Sequence, residues 1–405
     1  GDAGGRRAGR FGFRDLLVIA QIGASVVLLV GAGLFLRGLQ SALETDLGFD
    51  SDGVAMMTRS LSEEETTPES AREHYRDLIQ HLRGVPGVVD AAVARSVEVT
   101  FMPSLQADVS SRAGDAPVSA YYNSVTPGYL EMLEVPLLRG RTIEPGDRRG
   151  APAVAVINET FAARLWPDAE AIGKRFALSR REGSEGASQR LALSVEVVGL
   201  TREGKYLDID DGPLPYFWMS FYQDDSRDAG VLVKGAGKAE EMVEVLRREV
   251  EVGDRELTLI PPTTLESQVD VQYLVPRLAS RLFAFGGAFG LILSVIGVYG
   301  LVSFAVSRRT REMAIRMALG ARADQILSRV VRDGMRLVVM GLAGGMVTVV
   351  ALAYVARLLL YGVSPVDPTA LLSGAAVILV AALAACVVPA LRATRIDALA
   401  TLLDD

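Results

Sequence analysis

Residues 16–36 read LLVIAQIGASVVLLVGAGLFL, a run of membrane length without a single charged residue. About 20 such residues are what a helix needs to cross the ~30 Å hydrocarbon core of a bilayer. Three further apolar runs crowd the other end of the chain, near 282–306, 337–360 and 371–388. Between the first and second lie about 245 residues that read as a folded, water-soluble body. The layout predicts one membrane span, then a large extramembrane domain, then three spans.

Half of the residues are hydrophobic, yet 22% are charged, which suits a chain divided between membrane and water. The formal net charge of −7 conceals a division: residues 38–277 carry −15 and the rest +8. Lys and Arg collect at cytoplasmic membrane ends. Arg6, Arg7, Arg10 and Arg14 precede the first span, eight arginines from Arg308 to Arg336 separate the second from the third, and Arg392 and Arg395 follow the fourth. The short stretch 361–368 has no Lys or Arg. These positions predict cytoplasmic termini, a cytoplasmic second loop and an extracytoplasmic acidic domain, which in a bacterium is periplasmic, the chain sitting in the inner membrane.

Cys386 is the only cysteine, so neither an internal disulfide nor a Cys-based metal site is available. At about 240 residues the outer domain is large enough to be held by core burial alone. The first span is longer than a signal-peptide core, and Phe35-Leu36-Arg37 offers no small-residue cleavage pattern, so it reads as an anchor. The start at Gly, with a Gly/Arg-rich first ten residues, fits a trimmed chain or a piece of a longer polypeptide.

Within the outer domain, residues 54–61 predict a strand and Pro68–Arg83 a helix. Thr67 supplies its cap, Pro68 its first turn, and Leu78 and Leu82 one apolar face. Residues 88–97 predict a second strand. A second β-α-β unit follows far downstream: strand 230–234, amphipathic helix 238–250, strand 257–261. Two such units predict a split, ferredoxin-like sandwich. The intervening insertion, 98–228, predicts strands at Val118–Val125, 153–157, 191–200 and Tyr216–Ser220. It also predicts a helix capped by Asn158 and a polar loop over 180–190.

Several constellations carry no chemistry. His74 and His81 lie seven apart on one predicted helix, too far for a metal pair without further ligands, and read as a solvated face. Glu63-Glu64-Glu65 reads as a solvated loop, and Tyr121, Tyr122 and Trp166 as core or domain contacts. No nucleophile–base pair of a hydrolase stands out. Ile172-Gly173-Lys174-Arg175 lacks the rest of a P-loop, since Asp168 and Arg175 occupy the places of its first Gly and its Ser/Thr. Gly235-Ala236-Gly237 reads as a turn. No Asp, Glu, Lys or His sits mid-span, which argues against an ion-coupled carrier. Gly286-x-x-x-Gly290 and Gly341-x-x-x-Gly345 have the small-residue spacing that lets membrane helices approach, although glycine is common in such helices anyway.

The strongest local signal is the second cytoplasmic loop, Ser307-Arg-Arg-Thr-Arg-Glu-Met-Ala-Ile-Arg-Met-Ala-Leu-Gly-Ala321. Thr310 could cap a short helix that Gly320 ends. Glu312 and Arg316 form an i,i+4 pair in the favourable order, and Ile315 and Leu319 add apolar surface. Such a basic, amphipathic helix can rest on anionic lipid, dock a cytoplasmic partner, or simply express positive-inside charge.

The same segment resembles the S-R-R-T-R-E-I-G-I-R-M-A-L-G-A signature of MacB-type/FtsX-like ABC transporter permeases. Further stretches resemble that family in order: residues 17–34, Val156 to Trp166 with Ile172 to Phe176, Tyr361 to Pro368, and Pro389 to Asp397. The start is most similar to the second module of duplicated orphan permeases. The tail departs from the family pattern, since Asp397 is followed by Ala398 rather than Pro.

This resemblance implies an α-helical membrane protein with four transmembrane helices (1+3) and a large α+β extracytoplasmic domain, its split βαβ porter-like part carrying a β-rich insertion. The implied layout is a cytoplasmic segment at 1–15, spans at 16–37, 279–306, 337–361 and 371–390, and outer parts at 38–97, 98–228 and 229–278. The coupling loop falls at 307–336, an outer loop at 362–370 and a cytoplasmic tail at 391–405. It implies a permease that couples cytoplasmic ATP hydrolysis to motion of its outer domain. Arg308, Arg309, Thr310, Arg311, Glu312, Ile315, Arg316, Leu319 and Gly320 would dock the ATPase, with Gly286, Gly290, Gly341 and Gly345 packing helices. The implied partners are a cytoplasmic ABC ATPase subunit, a second permease module in a homodimer or pseudo-dimer, membrane lipid, and a periplasmic adaptor or substrate protein, but no nucleic acid. No enzyme activity or cofactor is expected on this chain, ATP being bound by the ATPase. A membrane-anchored sensor or scaffold without an ATPase is the alternative.

Overall fold

The computed structural model describes residues 13–61, 67–97, 105–111, 116–180, 192–207, 212–250, 258–318, 323–355 and 366–394. In chain order, helix α1 (Phe13–Leu43) leads to β1 (Val54–Ser60), α2 (Pro68–Arg83) and β2 (Val88–Ala94). Then come β3 (Leu105–Ser110), β4 (Val118–Val125), α3 (Tyr129–Met132), β5 (Leu137–Gly140), β6 (Val154–Asn158), α4 (Glu159–Leu165), β7 (Arg175–Arg180), β8 (Ala192–Thr201) and β9 (Tyr216–Ser220). The chain closes with β10 (Asp228–Gly235), α5 (Ala239–Val250), β11 (Thr258–Thr264), α6 (Leu265–Gln272), α7 (Leu274–Ala318), α8 (Ala323–Val355) and α9 (Pro368–Thr394). Two units result: Thr45–Gln272, and Gly1–Glu44 together with Tyr273–Asp405.

In the first of these, α2 starts where Thr67 Oγ1 accepts from Ser70 N at 3.2 Å and Pro68 occupies the first turn. Ala71, Tyr75, Ile79 and Leu82 recur on its buried face. The strands order as β11-β1-β10-β2, each pair antiparallel, with Val54 opposite Lys234 and Gly230 opposite Ala94. That order is the split β-α-β sandwich. The uninterrupted apolar start of β1 has a direct cause, because this sheet is buried on both faces. Ala55 and Met57 pack with Tyr75, Leu82, Met242 and Leu246 of the helices, while Val54 and Met56 pack with Tyr129, Leu130 and Trp218.

The insertion closes on itself. Strands β4-β3-β7-β8-β6-β9 pair in sequence, and β9 pairs back onto β4 in parallel, giving a six-stranded barrel without a free edge in the ring. Phe161, Phe176 and Phe217 fill its core with ring centroids 5.1–5.4 Å apart. Burying each such side chain is worth roughly 1.5–3 kcal/mol. Strands β3, β5 and β7 and the short helix α3 add to the elements expected from sequence. Of the polar stretch 180–190, Arg180 ends β7, and the rest lies outside the described residues, as do Glu63, Glu64 and Glu65.

In the second unit, four helices are long and apolar enough to cross a membrane: Phe13–Leu43, Leu274–Arg308, Ser328–Val355 and Pro368–Pro389. Helix α1 packs against α7, α8 and α9. One expectation is corrected. Thr310 does not cap a short separate helix, because the backbone of 307–318 continues α7 without a break. All of 323–336, the later part of that inter-span segment, is helical and forms the start of α8.

Candidate functional site: a clamped first span and a basic inner end

Small residues decide how closely the spans approach. A Cβ added to Gly345 would lie 2.7 Å from Val26 Cβ and 2.8 Å from the Gly23 carbonyl oxygen, and one on Gly341 would lie 2.8 Å from Ile22 Cβ. Only hydrogen fits there. Against the other side of α1, a Cβ on Gly290 would meet Ser25 Oγ at 2.8 Å, and one on Gly287 the Leu29 side chain at 2.9 Å. Gly286 is roomier, its nearest neighbour Leu28 standing 3.5 Å away. Gly374 of α9 completes the set, where a Cβ would reach Val30 Cγ2 at 2.6 Å. The first span is thus held by glycines of all three other spans. Ser25 Oγ and Ser294 Oγ share a buried hydrogen bond of 2.9 Å, and Ser25 also donates to Gln21 O. Such bonds act as glue between membrane helices. Sequence reading missed Gly287, Gly374 and the two serines.

The end of α1 beyond the apolar run carries a second tie. Arg37 Nη1 donates to both oxygens of Asp367, at 2.6 and 2.8 Å. Asp367 is also the cap of α9: its Oδ1 accepts from the backbone N–H of Thr369 and Ala370, each at 2.9 Å, and from Thr369 Oγ1 at 2.6 Å. The Arg37 hydrogen bonds, with those from Thr369 and Ala370, hold this carboxyl well below the usual carboxylate range. One turn along, Tyr273 Oη donates to Ala42 O at 3.3 Å. Asp367 followed by Pro368 is an N-cap pattern that the sequence reading left unused. The partner of Asp367, 330 residues earlier, was not legible.

At the opposite end of the spans, Phe304 is flanked by two guanidinium groups, Arg14 at 4.9 Å and Arg308 at 5.5 Å from its ring centroid. Arg308 is exposed. Arg309, Thr310, Arg311, Glu312, Ile315 and Arg316 follow on the same helix, and Leu319 and Gly320 lie outside the described residues.

The outer unit holds polar anchors. Asn158 Oδ1 accepts from Phe161 N at 2.9 Å and Tyr216 N at 3.0 Å, while its Nδ2 donates to Leu214 O at 2.8 Å and Glu203 Oε1 at 3.0 Å. Lys234 Nζ donates to Glu134 at 3.0 Å and Met132 O at 3.0 Å. Burial pulls its pKa down, but the Glu134 hydrogen bond and the charges of Asp50 and Glu134 outweigh that and raise it. Burial would raise Asp147, yet the hydrogen bonds from Arg141 and the Glu144 N–H lower it. His81 is exposed and bonds Glu249 at 2.8 Å, whereas His74 is half-buried with its ring edge-on to Tyr75. Among the described residues no three His, Cys, Asp or Glu gather as a metal site. Tyr122 is core, and Lys174 sits 5.7 Å over the Trp166 ring.

Residues 16–249, more than half of the chain, match the model of the MacB-like periplasmic core domain, and residues 284–398 match the FtsX-like permease C-terminal domain. The chain belongs to the MacB-like ABC transporter permeases. This permease is 27% identical over 327 residues to the pyoverdine export ATP-binding/permease protein PvdT of Pseudomonas syringae pv. tomato, covering 77% of the chain and 47% of that protein. The chain therefore spans about half the length of such relatives. With the uncharacterized ABC transporter permease YknZ of Bacillus subtilis it shares 24% identity over 356 residues, 82% of this chain and 78% of YknZ. Among solved structures, the extracellular domain of YknZ aligns at a TM-score of 0.35 and 16% identity, covering 52% of this permease and 99% of that domain. The periplasmic region of MacB from Actinobacillus actinomycetemcomitans aligns at 0.38 and 11%, covering 57% and 97%.

Proposed function

We propose that this permease transmits force. ATP binding and hydrolysis on a separate cytoplasmic ABC ATPase displace the basic end of α7, and the displacement reaches an outer domain in the periplasm of an inner-membrane protein. The observation that carries this is α7 itself. It is a single 45-residue helix from Leu274, separated from α6 of the outer unit by Tyr273 alone, to Ala318 in the basic segment. At about 1.5 Å per residue it is about 67 Å long, roughly twice the hydrocarbon thickness. A continuous helix of that length couples axial and tilting motion at one end to the other without a joint. The pyoverdine exporters support the pairing with an ATPase, since their name joins an ATP-binding part to a permease and this chain spans about half of them.

Docking by Glu312 and Arg316 is tested by charge reversal. Glu312→Arg and Arg316→Glu should each reduce co-purification of the ATPase from native membranes, and the exchange carrying both should partly restore it. Unchanged co-purification in both single variants sinks the docking assignment.

A further inference from the structure

A cavity of ≈ 1150 Å³ opens between α1, α7 and α8 at the arginine-rich end of the spans. Among the described residues its charged lining is Arg14, Arg308 and Arg336 with Asp15 and Asp333, a net of one positive charge. The arginines share a level. Arg14 lies two residues before the apolar run of the first span, Arg308 two after that of the second, and Arg336 one before that of the third. That is the depth at which lipid phosphates sit, and long cationic side chains reach to it. Arg14 and Arg308 moreover both lie against one ring, Phe304, at 4.9 and 5.5 Å from its centroid. Gathering like charges is unfavourable unless anions offset them, and Asp15 and Asp333 supply two negative charges against three guanidiniums. The rest of the lining is apolar: Phe13 and Phe304 are exposed, and Val302, Val306 and Leu337 are buried behind them.

We propose that this cavity binds the phosphodiester group of a membrane glycerophospholipid, with the guanidiniums on the phosphate and the first acyl carbons along the apolar wall. Charge points to a diester: its single negative charge matches the net charge of the described lining residues. Size and lining decide for a lipid over a free phosphate ion. The volume exceeds the ~300–1,000 Å³ of ordinary small-molecule pockets, and an ion would leave the apolar wall bare. Arg is suited to the task by its planar, bidentate fork. The site needs no ATPase and stands apart from the force-transmission reading.

The test uses the full chain in detergent, stripped and then exchanged with dioleoyl phosphatidylglycerol, dioleoyl phosphatidylethanolamine or dioleoylglycerol, and read by native mass spectrometry. One tightly held molecule per chain is expected with either phospholipid. The Arg14→Gln/Arg336→Gln variant should retain it at least tenfold less, and Arg14→Lys/Arg336→Lys within a few fold of the parent. A photoactivatable phospholipid should label wild-type chain within 301–308 and 330–337, a readout that needs no variant. Equal retention of dioleoylglycerol, labelling elsewhere, or no loss in the Gln variant overturns the proposal. Displacement of the lipid by millimolar inorganic phosphate overturns it in favour of a soluble phosphate site.

Discussion

Arg37 and Asp367 join the ends of the first and fourth spans through two hydrogen bonds from one nitrogen, at 2.6 and 2.8 Å. The carboxylate has two tasks, ion pair and helix cap, and substitution separates them. Asp367→Asn keeps the capping acceptor and loses the charge, costing about 0–1 kcal/mol since Arg37 is half-exposed. Asp367→Ala loses the cap as well, about 1 kcal/mol more. Thermal unfolding in detergent should rank the three chains in that order, and an Ala variant as stable as the Asn variant contradicts the cap.

The same carboxyl gives a pH signature. Its folded pKa is depressed, so its stabilising contribution is present above the unfolded value of about 3.9 and is lost as pH falls toward the folded one. Between about pH 5 and pH 3 the melting temperature of the parent should therefore fall more steeply than that of Asp367→Asn. Parallel curves would show that the pair does not contribute.

Two neighbouring glycines of α8 predict opposite outcomes. Gly345 faces Val26 and the Gly23 backbone, whereas among the described residues nothing lies within 4 Å of a Cβ on Gly344. Gly345→Ala should destabilise by about 1–3 kcal/mol through overpacking. Gly344→Ala should be neutral or gain up to about 1 kcal/mol of helix propensity. Equal melting temperatures for the two variants would remove the close approach of α1 and α8.

Asn158 should be the most sensitive polar residue of the barrel. Removing it with Ala strips a cap, about 1 kcal/mol, and leaves the Tyr216 N–H and Leu214 carbonyl without their partner, about 1–3 kcal/mol more. Asn158→Asp keeps the acceptor but sets a charge against Glu203, so it should not rescue. Amide hydrogen exchange in β6 and β9 reports this directly, and slow exchange in Asn158→Ala would refute it.

A double-mutant cycle on Ser25→Ala and Ser294→Ala should return a coupling of about 0.6 kcal/mol, the usual size for a hydrogen bond between membrane helices. Additive effects would reduce the pair to mere proximity.

Much of this architecture could be read from residues alone, and the exceptions have physical causes. The four spans announce themselves by length, and α2 by Thr67, Pro68 and its four-residue apolar spacing. Strand β5 could not be found, because Leu137–Gly140 is exposed throughout and shows no inside–outside alternation. Strand β7 does alternate, with Phe176 and Leu178 buried, but the loop signal starting at residue 180 obscured it. At Thr310 local capping chemistry was present, yet α7 runs through, helical continuity outweighing a cap available at its interior. The Gly341 and Gly345 spacing was visible, but which helix fills the space is a tertiary fact, as is the meeting of Arg37 with Asp367.

The pairing of Gly230 with Ala94 has a consequence for how this architecture can be rearranged. It places the points where the barrel segment leaves and rejoins the sandwich on adjacent strands, about 4.8 Å apart. Topologically the barrel is a cassette plugged into what would otherwise be a hairpin turn. It could be exchanged for another module that again covers Val54 and Met56, without re-threading the sandwich. The bonds to be replaced include those across the socket, Arg95 N to Ser124 O, Thr126 N to Val93 O and Arg95 to Asp224, and those of Lys234 to Glu134 and Met132 O. A scaffold wired in this way can acquire new recognition surfaces while its linkage to the membrane stays fixed.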